Sequence, residues 1–314
     1  MAAQEVGQEA WLKQVNEEWA ADKDQREKRF EGIRRLVKKD RAKTPPQWYV
    51  NSQDQTFVVV PGPVEFVMGS PKVEKDHEER ENPHKRKIGR SFAIASKSVT
   101  LAQYRSLTKV KYQIGEKYTY HPNLPVVGIT WYMAAKYCNL LSKEEGIPKD
   151  QWCYETGVNG QMTKLKADYL SLTGYRLPTE AEMEYTTRAG ATSSRYYGET
   201  EELLGHYAWY SKSSNDVLMP VGKKKPNDLG LFDGQGNCYT WCQEAYGDYP
   251  AANGDGAVED KEGNLVAPST LSRVLRGGSF GNPASNVRSA FRNNTVPPTG
   301  DPFIGFRPAR TFAP

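Results

Sequence analysis

The chain has 314 residues with 42 Lys+Arg against 38 Asp+Glu, a formal charge of +4. That near balance gives no reason to expect a nucleic-acid partner or a charged membrane surface. No apolar run approaches the roughly 20 residues of a bilayer-spanning helix, and the opening "MAAQEVGQEAWLKQVNEEWAADKD" is charged where a secretion signal is apolar, so a cytoplasmic protein with reduced thiols is expected.

Residues 1–44 read as a helical arm. Trp11, Val15 and Trp19 recur every four residues, Phe30, Ile33 and Leu36 continue the helical period, and Glu, Lys, Arg, Ala and Gln fill the places between. Pro45-Pro46 closes it. The Trp11/Trp19 face is expected either to pack on the rest of the chain or to dock a protein partner. From Gln55 the texture changes. "TFVVVPGPVEFVMGS" holds two β-rich runs around a Pro-Gly-Pro turn, the pattern of a hairpin, and "KRKIGRSFAIASKSVT" is a further strand region. Thr100 stands at a helix N-cap position before "LAQYRSLTK". Trp131, Ala134, Ala135, Cys138 and Leu141 mark the apolar face of a helix that Gly146 ends. Thr179 with Glu182 makes a capping box for a second, which Gly190 ends. Beyond Gly190 the chain reads as turns and very short strands. Strands, two main helices and a long irregular region predict an α+β domain over 45–314, loop-rich, with short sheets.

The usual reaction chemistries find no footing. "GLFDGQGN" is not followed by Lys-Ser/Thr, so it is no phosphate-binding loop. Cys238 and Cys242 are too few for a zinc site and are expected to be buried free thiols. His77, His84, His121 and His206 are scattered, and no G-x-S-x-G elbow is present. "NGDGAVEDKEG" fails as an EF-hand, because Val258 stands where the loop needs glycine. The acidic run Glu74, Asp76, Glu78, Glu79 and Glu81 reads as a solvated loop.

The stretch "RVLRGGSFGNPASNVRSAFRNNTVPPTGDPFIGFRPAR" is different in kind. Arg276-Gly277-Gly278-Ser279 and Gly305-Phe306-Arg307 bracket a patchwork of Asn, Ser, Thr, Pro and isolated Phe that has neither helical nor strand period. In order along the chain, "VEFVMGSP", "SVTLAQYRSL", "LPVVGITWYMAAKYCNLLS", "YRLPTEAEMEYTTRAG", "NDLGLFDGQGNCYTWCQEAY", "RVLRGGSF", "VRSAFRN" and "IGFRPAR" resemble the formylglycine-generating-enzyme (sulfatase-modifying factor) domain family, from about residue 56 to the C-terminus. The resemblance implies a variant of the C-type lectin fold, with two main helices, short antiparallel sheets and abundant loops. Enzymes of that family use a copper-binding cysteine pair after the Gly-Gly-Ser. Here Asn282 and Val287 stand near those two places, and neither supplies a thiolate, so the family's oxidation of a cysteine is not expected. Asp233, Gly236, Asn237 and Trp241 match the family's calcium-associated element, but Thr240 holds its acidic position. No cofactor is therefore expected, and Asp233 and Asn237 are left to bond turn backbone.

The bracketed segment also resembles that of the ligand-binding proteins diversified by diversity-generating retroelements, which display a variable C-terminal segment on the same fold. That resemblance implies recognition of a protein or other macromolecular ligand through residues of about 278–305. Phe280, Phe291 and Phe303 would be aromatic anchors, and Asn282, Ser285, Asn286, Ser289, Asn293, Asn294, Thr295, Thr299 and Asp301 polar contacts. Arg288, Arg292 and Arg307 would knit the scaffold. The competing expectation is an inert sensor or adaptor, similar to domains found beside bacterial kinases and engaging its partner through the arm.

Overall fold

The structure is a computed structural model and describes residues 47–157, 162, 164–249, 256–261, 263 and 265–312. The helical arm expected over 1–44 lies outside the described residues, as do Asn253 and Asp255 of the loop weighed for calcium.

Strands β1 (Trp48–Val50), β2 (Thr56–Val60), β3 (Val64–Met68), β4 (His84–Ile88) and β5 (Phe92–Ala95) open the domain. β2 and β3 flank the Pro-Gly-Pro turn but do not pair, which corrects the expected hairpin: β2 pairs with β1 and β5, and β3 with β4. The difference follows from the two sequences. "TFVVV" is apolar at successive positions and buried from Phe57 to Val60, as an inner strand must be, whereas "VEFVM" alternates and stays half exposed.

The capped helices stand where the residues place them. In α1 (Leu101–Thr108), Thr100 Oγ1 accepts the Gln103 N–H at 3.2 Å, and the Gln103 side chain accepts the Thr100 N–H at 3.0 Å. α2 (Trp131–Glu144) buries its whole expected face, Trp131, Ala134, Ala135, Cys138 and Leu141, and Thr130 caps its start. After the short strands β6 (Tyr154–Glu155), β7 (Lys164–Leu165) and β8 (Tyr175–Arg176) comes α3 (Glu180–Arg188), with the expected capping box between Thr179 and Glu182. The single-turn helices α4 (Leu204–Tyr207) and α5 (Ser211–Ser214) were not expected, because four residues are too few to show a period.

β9 (Tyr239–Ala245), β10 (Val258–Glu259), β11 (Arg273–Arg276), β12 (Arg292–Thr295), β13 (Ile304–Gly305) and β14 (Ala309–Thr311) complete the chain. They are shared between sheets. A five-stranded sheet runs β1-β2-β5-β14-β8, a four-stranded one β12-β11-β9-β13, a three-stranded one β10-β4-β3, and β6 pairs β7. Most pairings are antiparallel; β13 with β9 and β10 with β4 are parallel. The main core gathers Phe57 and Ala95 of the first sheet, Trp131, Tyr137 and Cys138 of α2, Trp241 and Leu275 of the second sheet, and Phe306. Both buried indoles are satisfied: Trp131 donates to the Cys242 carbonyl at 3.1 Å and Trp241 to that of Ile129 at 2.7 Å. Cys138, Cys153, Cys238 and Cys242 are free and buried. Among the described residues no helix is long and apolar enough to cross a membrane.

Candidate functional site

The bracketed segment is irregular, so its main-chain carbonyls have few regular partners. Buried arginines take that role. Arg276, at the end of β11, donates to the carbonyls of Ala290 at 2.8 Å, Phe291 at 2.9 Å and Ser289 at 2.8 Å, and to the Glu184 carboxylate. Arg292 grips Glu180 with two bonds of 2.6 and 2.9 Å and lies 3.8 Å over the Tyr249 ring. Arg307 donates to the carbonyls of Ala95, Phe232 and Asp233 at 3.0 to 3.1 Å. Arg288 donates to Glu74 at 2.7 Å, to both Glu81 oxygens at 2.8 Å and to the Asp76 carbonyl at 2.6 Å. The scaffold role expected of Arg288, Arg292 and Arg307 is therefore what their surroundings impose. The bracketing glycines have equally local reasons. At Gly278 φ is +75° and a Cβ would meet the Asn286 carbonyl oxygen at 2.7 Å, while at Gly305 it would meet Cys238 Sγ at 2.9 Å.

The Arg288 bonds also correct the reading of the acidic run. Glu81 is buried and Glu74 half-buried, with its side chain turned onto Arg288; Asp76 and Glu79 remain exposed. Burial alone would raise the Glu81 carboxyl, but its bonds to Arg288 and Ser70 hold it below the usual range. Glu74, with fewer bonds, is raised by burial despite Arg288. The loop of residues 71–81 thus lines the bracketed segment, and Arg80 lies 5.7 Å over the Phe291 ring.

The twelve residues expected to meet a ligand divide into two groups. Phe291 is buried in the main core, Phe280 in a smaller cluster with Leu124, Val127 and Leu218, and Ser289 is buried while its hydroxyl bonds Gln235 at 3.0 Å. These three face inward, which corrects their expected part as contacts: each is held by a neighbour on the protein side of the segment. Phe303 is half exposed and packs on Phe280 at a tilt, with ring centroids 4.8 Å apart. Asn282, Ser285, Asn286, Asn293, Asn294, Thr295, Thr299 and Asp301 are all half exposed. They are ordered by local bonds: the Thr295 and Thr299 hydroxyls lie 3.0 Å apart, and Asp301 accepts the Phe303 N–H at 2.8 Å.

Asn282, Asn286 and Asn293 influence the hydroxyl of Tyr239, at the start of β9. Burial raises the Tyr239 hydroxyl, the amides of Asn293, Asn282 and Asn286 ease it back, and Arg80 adds a weaker pull in the same direction. The hydroxyl is buried, with no hydrogen-bond partner among the described residues. Sequence reading missed Tyr239 and Arg80, since both lie outside the bracketed segment and only the tertiary fold brings them to it. Asp233 and Asn237 bond turn backbone as expected. Asp233 accepts the Gly222 N–H at 2.7 Å; Asn237 accepts the Met219 N–H at 3.1 Å and donates to its carbonyl at 2.9 Å. Burial pushes the Asp233 carboxyl up.

Residues 41–312 match the model of the sulfatase-modifying factor enzyme 1-like domain. Chaperone protein LppX of Paenibacillus barcinonensis is 30% identical over 181 residues, 50% of this chain and 64% of that protein. Serine/threonine-protein kinase pkn1 of Chlamydia pneumoniae is 28% identical over 189 residues, 60% of this chain and 24% of the kinase. Formylglycine-generating enzyme of Streptomyces coelicolor is 28% identical over 205 residues, 60% of this chain and 53% of the enzyme. The chain therefore spans only part of the curated relatives it matches. Among solved structures, Treponema denticola variable protein 1 superposes with a TM-score of 0.69 at 28% identity, covering 86% of this chain and 100% of that one.

Proposed function

The chain belongs to the sulfatase-modifying factor enzyme 1-like domain family, and we propose that within it this protein binds a ligand instead of oxidising one. The observation that carries the reading is the division of the bracketed segment. Its arginines, Phe291 and Val287 are buried and hold the backbone, while Asn282, Ser285, Asn286, Asn293, Asn294, Thr295, Thr299 and Asp301 are left half exposed on it. A rigid backbone with exchangeable side chains lowers the ordering cost of binding. The likeness to Treponema denticola variable protein 1 supports the diversified form of this reading, in which a retroelement rewrites the segment. Asn282 and Val287, at the places of the family's cysteine pair, support a protein that is not an oxidase.

The test is to sequence the gene's 3′ end across a population of the source cells. Substitutions confined between the codons of Gly278 and Gly305, and matching adenines of a nearby template copy, are expected. A uniform segment without such a copy contradicts the diversified reading. The match to pkn1 favours a second one, an adaptor whose partner docks on residues 1–44. It predicts that Trp11→Ala with Trp19→Ala abolishes partner binding while substitutions at Asn293 leave it intact.

A further inference from the structure

His84 of β4 lies outside the bracketed segment and is only 7% exposed. The Asn82 carbonyl stands 3.2 Å from its Nδ1. A carbonyl can only accept, so Nδ1 carries the proton and Nε2 is the bare nitrogen of a neutral ring. Nε2 is buried, with no hydrogen-bond partner among the described residues. The imidazole packs on the Tyr249 ring, with centroids 4.4 Å apart. Tyr249 in turn lies 3.8 Å from the Arg292 guanidinium and donates to Glu180 at 3.4 Å, the carboxylate that Arg292 grips at 2.6 and 2.9 Å. A contiguous row, His84, Tyr249 and Arg292, therefore ends on β12, the strand of the bracketed segment that carries Asn293 and Asn294.

The charged groups that face His84 leave no acceptor for a second N–H. Glu180 and Glu184 come from α3, but Glu180 is engaged by Arg292 and Tyr249, and Glu184 by Gly69, Arg188 and Arg276. Arg86, two places along β4, adds a like charge. β3 sets Met68 opposite His84, and its Glu65 alternates onto the other face of the sheet. Burial holds the His84 ring below the ordinary 6.5, with Arg86 acting in the same direction, against the Asn82 carbonyl and the two glutamates.

We propose that His84 is an acid-sensitive latch on Arg292. The neutral ring keeps Tyr249 seated against the guanidinium. The imidazolium, without an acceptor and with a second cation on the same tyrosine, loosens that seat and with it the β12 end of the bracketed segment. The latch is a property of the fold and holds whether or not the segment meets a ligand. A histidine held below its unfolded value contributes stability that is present above about 6.5 and is lost as pH falls through the lower folded value.

The experiment titrates the isotope-labelled full chain by NMR across the histidine range, from about pH 7.5 to about pH 4.5. It follows the imidazole Cε1–H signals and the Arg292 Nε–H signal in the wild type and in His84→Phe, which keeps an aromatic ring against Tyr249 and cannot take a charge. The imidazole signal that His84→Phe removes is expected to titrate below 6.5, and the Arg292 signal to shift or broaden with the same midpoint. In His84→Phe the Arg292 signal is expected to hold still through that range and to move only where carboxylates titrate. Thermal unfolding at about pH 7 and about pH 5 is expected to show the wild type losing more Tm than His84→Phe. A His84 midpoint at or above 6.5, an Arg292 signal that stays put while His84 titrates, or the same movement in His84→Phe would overturn the latch. Should His84→Phe fail to fold, the wild-type midpoints decide alone: a shared one supports the latch and separate ones overturn it.

Discussion

Phe291 and Asn293 stand two places apart in one polar stretch, and their surroundings give them opposite consequences. Phe291 fills the main core, so Phe291→Ala should cost about 3–5 kcal/mol. Asn293 is half exposed, so Asn293→Ala should stay within about 0.5 kcal/mol. Urea unfolding of the two variants checks both values, and equal losses would mean that the segment is not divided. This contrast was illegible in the sequence, because an isolated Phe among Asn, Ser and Pro carries no period from which to read the direction it faces. Glu244 poses a residue-scale question of another kind. Its residue is half-buried, but one carboxyl oxygen is buried without a partner and the other accepts the Glu180 N–H at 2.8 Å. Burial, then the nearby carboxylates of Asp260 and Glu180, push it up to about 8, with Arg273 the cation it faces. The folded value lies above the ordinary 4.5. The stability this group contributes is thus fully present below about 4.5 and is lost as pH rises through about 8. Glu244→Gln keeps an acceptor for the Glu180 N–H and removes the charge. Thermal unfolding between about pH 5 and pH 9 should show the wild type losing more Tm than the variant, at roughly 2–4 °C per kcal/mol. Parallel profiles would contradict this.

At the scale of elements, α3 is the post to which the bracketed segment is tied. Glu180 holds Arg292 of β12, Glu182 holds Arg176 of β8 and Arg90, and Glu184 holds Arg276 of β11 as well as Arg188. Between Arg176 and Arg90 the Glu182 carboxyl is held down at about 2, although burial alone would raise it. Arg276→Ala leaves Glu184 with Arg188 and strips the buried carbonyls of Ser289, Ala290 and Phe291 of their donor, so it should cost about 3–5 kcal/mol, seen as a Tm loss of roughly 10 °C. Glu184→Gln, which keeps Arg276 on those carbonyls, should cost less in the same thermal unfolding measurement. Equal losses would mean that the carboxylate, not the carbonyls, is what Arg276 chiefly serves. The start and end of α3 were legible, since a capping box and a following glycine act over a few residues. Its ion pairs were not. Glu184 and Arg276 are 92 residues apart and Glu180 and Arg292 are 112, and nothing local in either partner encodes the pairing.

For the whole molecule, the last strand lies inside the structure that the first strands begin. β14 sits between β5 and β8 in the five-stranded sheet, and Arg307 just before it binds carbonyls of residues more than 200 positions earlier as well as those of Phe232 and Asp233. The bracketed segment is therefore anchored at both ends in the core. Its Arg276-Gly277-Gly278 and Gly305-Phe306-Arg307 brackets were readable as punctuation, and the ordered phrases as a family. The separation of β2 from β3 and the inward turn of Phe280 and Phe291 depend on long-range packing that no short window contains. The interior of the segment can change while its anchors cannot. The most direct measurement is saturation substitution of residues 276–307, scored by the fraction of folded protein surviving a protease at increasing urea. Broad tolerance at Asn282, Ser285, Asn286, Asn293, Asn294, Thr295 and Thr299, with intolerance at Arg276, Val287, Arg288, Phe291, Arg292 and Arg307, is the predicted result. Intolerance spread evenly over both groups would contradict it.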